Sequence, residues 1–245
     1  MSYVKGSSAS KEIVVEQPYE LSLKVSNQLP VAGETIKWQG TITPSPGLGA
    51  KIGLYAYIPD RWVLVATATV GMEGPTGGIF SGSWTVPHRI EGVKISGSRT
   101  MLIARYGDYE SNGVGLVVYM PSRISITAPS NVKVGEVFTV SGKLEYEYDS
   151  GDWRGLANKV VEIYVDESKV GEVTTGSDGS YSIDMKINEP GVHVLKVVFG
   201  GVAGSIATTS SRYAVRATGE VTIPIGAIVV GSLIALGAGY LLVRG

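Results

Sequence analysis

The chain has no cysteine. That excludes disulfides, a thiolate nucleophile and a thiolate metal site. Any core must therefore hold by packing alone, which units of about 100 residues can do. Histidine is nearly as scarce, with His88 and His193 the two in the chain. A metal site would need carboxylates beside one of them, and nucleophilic hydrolysis lacks its usual frame because no Gly-x-Ser-x-Gly elbow occurs. The sequence thus offers no catalytic, cofactor-binding or metal-binding residues, and no small-molecule substrate is evident. Charge of either sign is also short of excess. Lys plus Arg is 21 against 22 Asp plus Glu, which argues against a nucleic-acid surface, since that requires clustered cations. Long Ala, Leu, Glu and Lys runs are missing, and no stretch before residue 222 keeps helical apolar spacing over three turns.

What remains is a β composition. There are 33 Gly and 13 Tyr, with Val, Ile, Ser and Thr throughout. In Val137–Leu144, the positions Phe138, Val140, Gly142 and Leu144 form the more apolar of two alternating sets, as in a half-buried strand. Turn clusters such as Pro129-Ser130-Asn131, Ser150-Gly151-Asp152 and Ser177-Asp178-Gly179 separate such segments. Short strands at this spacing predict antiparallel sandwiches. Seven are expected near 19–26, 35–43, 51–58, 62–70, 78–86, 100–106 and 113–119. Seven more fall near 123–128, 137–146, 159–165, 168–174, 179–187, 191–199 and 205–217. Thr43–Gly49 and Gly71–Gly78 are expected to be irregular loops.

The two sets repeat one another. VAGETIKWQGTI at 31–42 matches KVGEVFTVSGKL at 133–144, with Gly33 on Gly135, Glu34 on Glu136 and Gly40 on Gly142. Ile52–Tyr57 then parallels Val160–Val165, Phe80–Val86 parallels Tyr181–Ile187, and Thr100–Gly107 parallels His193–Gly200. The order is the same in both. The expected organisation is an arm at 1–18, sandwiches at 19–120 and 121–219, and a last segment at 220–245. Ile13-Val14-Val15 in the arm could add to a sheet edge, or be an ordinary first strand or tail.

Residues 121–217 resemble the bacterial and archaeal Ig-like repeats of surface-layer and adhesin-type proteins, through Val134-Gly135-Glu136, LANKVVEIYV at 156–165, TTGSDGSYSI at 174–183 and Glu189-Pro190-Gly191. Residues 19–120 resemble them more loosely, with Gly77-Gly78 in place of the Asp178-Gly179 hairpin. The resemblance implies an all-β fold of two tandem Ig-like antiparallel β-sandwiches, and roles as spacers, stalks or shell components. It carries over no functional residues.

Candidate contact residues are aromatics beside turns, which bury large area at small entropy cost: Tyr57, Trp62, Tyr109, Tyr148 and Trp153. They could equally cover the ends of small sandwiches. Of Trp38 and Trp84, one is expected in the core. Glu145, Glu147, Asp149 and Asp152 crowd one loop, and Asp178 lies in another. Calcium could use such a loop, but the spacing matches no EF-hand and fits a solvated strand edge. Both histidines are expected to be structural or exposed.

From Ile223 to Val243 no Asp, Glu, Lys or Arg occurs. As a helix, these 21 residues would span roughly 30 Å, a bilayer core. A single transmembrane α-helix is therefore expected after the sandwiches, with Ala227, Gly231, Ala235 and Gly239 forming a ridge for close helix packing. The beginning at Met1–Pro18 has no apolar run of a signal peptide. A mature form, leaderless export and tail anchoring all stay open, and the charges at Arg212, Arg216 and Arg244 do not decide orientation. The expectation is a single-pass membrane protein, structural or adhesive, that assembles laterally into a shell, lattice or filament, its bulk outside the cell or on a virion surface. Its partners would be the lipid bilayer and either copies of itself (a homo-oligomer) or other surface or envelope proteins. The alternative is a non-catalytic binding or accessory subunit of a membrane complex.

Overall fold

The computed structural model describes residues 18–219, and every element among them is a strand. The first half holds β1 (Glu20–Leu21), β2 (Lys24–Val25), β3 (Thr35–Thr43), β4 (Lys51–Ile58), β5 (Arg61–Gly74), β6 (Gly77–Thr85), β7 (Arg89–Ile90), β8 (Val93–Lys94), β9 (Ser98–Tyr106), β10 (Tyr109–Glu110) and β11 (Val114–Val118). The second half holds β12 (Ser122–Ile124), β13 (Asn131–Lys133), β14 (Val137–Asp149), β15 (Asp152–Gly155), β16 (Val160–Val165), β17 (Ser168–Thr174), β18 (Ser180–Lys186), β19 (Gly191–Phe199) and β20 (Thr209–Thr218).

Alternation decides which side chains go inward. On β3, Ile36, Trp38 and Ile42 are fully buried while their neighbours are exposed. They meet Ile52 and Leu54 of β4, Phe80 of β6, Leu102 of β9 and Leu116 of β11 in one core. Each side chain of this size contributes about 1.5–3 kcal/mol on burial. Both Trp38 and Trp84 are buried, where one was expected. The second half repeats the pattern with Phe138, Val140 and Leu144 of β14 against Val161, Ile163, Tyr181, Leu195, Val197 and Val215.

The two halves use one device for strand entry. The opening strand pairs antiparallel with the next long strand, β1 and β2 with β3 in one half and β12 with β14 in the other. The chain then crosses to the opposite sheet and runs parallel to the last strand. In the first half Val31 bridges Tyr119 and the Val117 amide donates to the Gln28 carbonyl; in the second β13 lies along β20. This parallel rung corrects the expectation of purely antiparallel sheets, which alternation alone could not distinguish. The crossing is followed in each half by a left-handed glycine, Gly33 at φ +92° and Gly135 at φ +77°. Their amides donate to the carbonyls of Val86 and Ile187.

The halves differ in how they close. In the first, β5 pairs with β4 through Arg61–Thr69, then with β6 through Val70–Gly74, and so stitches the two layers into the order β1-β3-β6-β5-β4-β9. Gly71–Gly78, expected as a loop, is therefore a strand, a two-residue turn at Pro75-Thr76 and another strand. Its glycines hid it, and Gly78 is needed because a Cβ there would lie 2.7 Å from Val70. In the second half, β17 stays with β16, β18 stays with β14, and the layers remain separate as β13-β20-β19-β16-β17 and β12-β14 with β15 and β18.

The last strand of the first half, β11, runs into Met120, whose amide donates to Ser205 and whose carbonyl accepts from Ala207. The final strand β20 runs away from that junction. Pro18 and Gly219 thus lie at opposite ends. The expected arm with Ile13-Val14-Val15, and the span Ile223–Val243 with Ala227, Gly231, Ala235 and Gly239, lie outside the described residues. Among those described, no helix is long and apolar enough to cross a membrane.

Candidate functional site

The five expected contact aromatics fall in three places. Tyr57 and Trp62 face each other across the β4–β5 hairpin, edge to face at 5.2 Å. The Arg105 guanidinium lies 5.5 Å from the Trp62 ring and 4.8 Å from that of Tyr55. Tyr57 is 44% exposed. Tyr109 sits at the N-terminal end of the described chain, 5.3 Å from Tyr19, which also meets Tyr106 at 5.1 Å. Tyr148 and Trp153 belong to the β14–β15 hairpin. There Lys94 and Arg154 approach the Tyr148 ring at 3.2 and 3.7 Å, and Arg123 covers Trp153 at 4.2 Å. Those two rings are engaged within the chain.

The acidic loop is built into a junction between the halves. His88 is 8% exposed. Its Nδ1 lies 3.1 Å from Ser96 Oγ, and its Nε2 lies 3.2 Å from Glu147 Oε2 of the other half. A carboxylate only accepts, so Nε2 carries the proton of this bond. The second oxygen of Glu147 accepts from the Gly151 amide at 2.8 Å. Beside it Arg89 pairs with Asp149 through Nε and Oδ2, and that guanidinium holds the Asp149 carboxyl below its ordinary range. Arg123 does the same for Glu145 at 2.8 Å, and Arg154 closes on Asp152 at 2.6 Å. Each of the four carboxylates of this loop therefore has a cation or imidazole partner, while Asp178 accepts from the amide and hydroxyl of Ser180 at 3.0 and 2.6 Å. Among the described residues no three His, Cys, Asp or Glu side chains converge.

This junction was not legible in the sequence. The acidic run at period two was visible, but the partners of Glu147 and Asp149 lie 59 and 60 positions away, in the turn Val86-Pro87-His88-Arg89. Burial pushes the Lys94 ammonium down from its ordinary value. The other histidine sits at the opposite end of the second half. His193 Nδ1 meets Asp166 Oδ2 at 2.6 Å, and Nε2 lies 3.0 Å from the Glu189 carbonyl. Asp166 raises the imidazole pKa. The group ties the β16–β17 turn to β19, because Asp166 also accepts from the Val194 amide at 2.8 Å.

No family model matches the chain, and no curated protein matches it. Among solved structures, the D0-D1 domain of intimin aligns with 80% of this chain over 97% of its own length, at 14% identity and a TM-score of 0.30. The Yersinia pseudotuberculosis adhesin InvE aligns with 81% of this chain over 58% of its length, at 10% identity and 0.30. Bovine butyrophilin aligns with 81% over 99%, at 10% identity and 0.38. At such scores nothing is inherited from these proteins. The immunoglobulin-like arrangement rests on the strand order itself: two facing layers, a split first strand and a parallel final rung.

Proposed function

We propose that the chain is a membrane-anchored structural or adhesive surface protein, in which two immunoglobulin-like domains, 19–120 and 121–219, hold an interaction face away from a bilayer and assemble laterally with neighbours. The observation that carries this is directional. The described chain begins at one end and leaves at the other, with a junction cross-tied by His88–Glu147 and Arg89–Asp149. Four residues after Gly219 comes the uncharged stretch Ile223–Val243, which needs lipid or an equivalent apolar surrounding. A spacer requires that geometry, and it has no need of a nucleophile, a base or a cofactor.

Vesicle flotation of the full chain is the direct test. The chain should float with lipid and resist alkaline carbonate. The double variant Val229→Asp/Leu236→Asp should stay behind, because each charge near a helix centre costs about 2.5–3.5 kcal/mol. A full chain that remains monomeric and soluble without detergent overturns the reading.

A further inference from the structure

The outer face of the first half's β5-β4-β9-β11 layer is unlike the rest of the surface. Its outward positions on β4 and β9 include Tyr55, Tyr57, Arg99, Met101 and Arg105, with the exposed cation Lys51 at the start of β4 and Ile103 buried between its neighbours. Leu64 is 50% exposed and Met101 46%, beside Tyr57 at 44%. A shallow hollow of about 440 Å³ opens between Tyr57, Met101 and Gly115. No carboxylate stands at an outward position of β4, β9 or β11. The first half's layer carries an ion pair at its rim, Arg105 to Glu110 of β10 at 2.5 Å, whereas the corresponding layer of the second half carries a network across its face: Lys169 to Glu162 at 2.6 Å and to Glu172 at 3.1 Å, and Glu167 to Lys196 at 2.8 Å and Arg212 at 2.9 Å. The apolar face is therefore not a by-product of the repeated fold.

We propose that this face packs against the same face of a second copy, about a two-fold axis that runs along the strands between β4 and β9. The register makes the face self-complementary. Trp62 is level with Tyr57, and Leu64 with Tyr55. Tyr55 is level with Ile103, and Met101 with Gly115. Rotation about that axis keeps every level and exchanges columns, so β4 lies on the partner's β9 and β5 on its β11. Tyr57 then meets Met101, a favourable sulfur–ring contact, and Trp62 meets Gly115, large against small. Nothing lies within 4 Å of a Cβ built on Gly115, so the glycine serves no packing need inside its own chain. Flat spots of this kind let two layers close to the ~10 Å of stacked sheets.

A second copy also fits the remaining geometry. An axis along the strands sends both chains out of the pair in the same direction, as two anchors in one bilayer require; in this the inference rests on the proposed anchoring. A free-standing interface buries about 1,000 Å² in total; confinement to a membrane, by raising the effective concentration, lets a smaller contact suffice.

The test uses the absence of native cysteine. Full-length Trp62→Cys and Gly115→Cys chains, carrying different tags, are reconstituted together in phosphatidylcholine vesicles and oxidised. Mixed disulfide dimers should form, whereas either variant alone should give few, since equivalent positions lie at opposite edges of the pair. Gly115→Arg, which the isolated chain has room for, should leave the melting temperature unchanged. In a Trp62→Cys/Gly115→Arg chain mixed with Gly115→Cys it should lower the mixed yield about tenfold. Equal yields from mixed and single variants, or no loss with Gly115→Arg, overturn the pairing. If the chains fail to float, the anchoring reading falls alone; mixing the same variants at millimolar concentration in detergent still reads out the face.

Discussion

Two glycines at matched positions show how a residue can fix a fold by what it leaves out. A Cβ on Gly40 would lie 1.9 Å from the Ser22 carbonyl oxygen and 2.4 Å from the Phe80 ring. One on Gly142 would lie 2.0 Å from the Ser125 oxygen and 2.7 Å from Cζ of Tyr181. In both halves the opening strand crosses directly over a glycine, and an aromatic from the neighbouring strand fills the remaining space. The match of Gly40 with Gly142 was legible in the sequence; its reason, a backbone passing overhead, was not. Gly142→Ala is expected to destabilise the second half by about 3 kcal/mol, because the obstacle is backbone and cannot turn aside, and chemical denaturation measures this. His193 gives a second prediction at this scale. Its partner Asp166 raises the imidazole above its ordinary 6.5, so the folded state gains from the proton below that value and loses the gain as pH rises through the folded pKa. Asp166 runs the other way. The Val194 amide and then His193 hold it below 3.8, so its contribution stands above that pH and fades as pH falls. The pair therefore supports the fold between about pH 3.8 and 6.5. The melting temperature of His193→Gln should fall further below that of the unsubstituted chain at pH 5.5 than at pH 8.5. An equal gap at both values would show that the ring acts only by its shape.

At the scale of elements, strands were legible wherever alternation was complete. Thr35–Thr43, Lys51–Ile58, Ser168–Thr174 and Gly191–Phe199 stand where periodicity places them. It failed where glycine interrupts the pattern, as along Gly71–Gly78, and where the pairing is too short to show a period, as in β7–β8 and β13. Closure was beyond reach too, because whether a strand after β4 bridges two layers depends on its length in space, not on its composition. That difference leaves β17 as a true sheet edge in the second half. The strand is guarded by a register shift opposite Ile163 and Tyr164 and by Lys169, whose ammonium the Glu162 and Glu172 carboxylates push up to about 12. Charge and irregularity of this kind prevent edge-to-edge pairing. Lys169→Val/Glu172→Val should therefore change monomer stability little, yet make the chain self-associate, as light scattering against concentration would register. An unchanged particle size would mean that the bulge alone protects the edge.

For the whole molecule, the question is whether two halves act as one rod. The strand at the boundary is short, so stiffness must come from side chains, and the junction supplies them from both sides. His88 lies almost wholly inside it, and Glu147 is 18% exposed. Removing one member of such a pair leaves the other half-desolvated without its partner, which costs more than the pair itself contributes. Glu147→Leu should thus lower the coupling between halves by about 1–3 kcal/mol, while Arg89→Ala at the more exposed Arg89–Asp149 pair should cost less. The consequence appears in distances before it appears in melting. Ser81 and Ser182 are exposed strand positions, one in each half, and with no native cysteine to compete, spin labels can be placed on both alone. The unsubstituted junction should give one narrow distance distribution in electron-paramagnetic pulse measurements. Glu147→Leu should broaden it and split a single calorimetric transition into two. A broad distribution in the unsubstituted chain would remove the rod, and with it the reason for placing a contact face in the half farther from the bilayer.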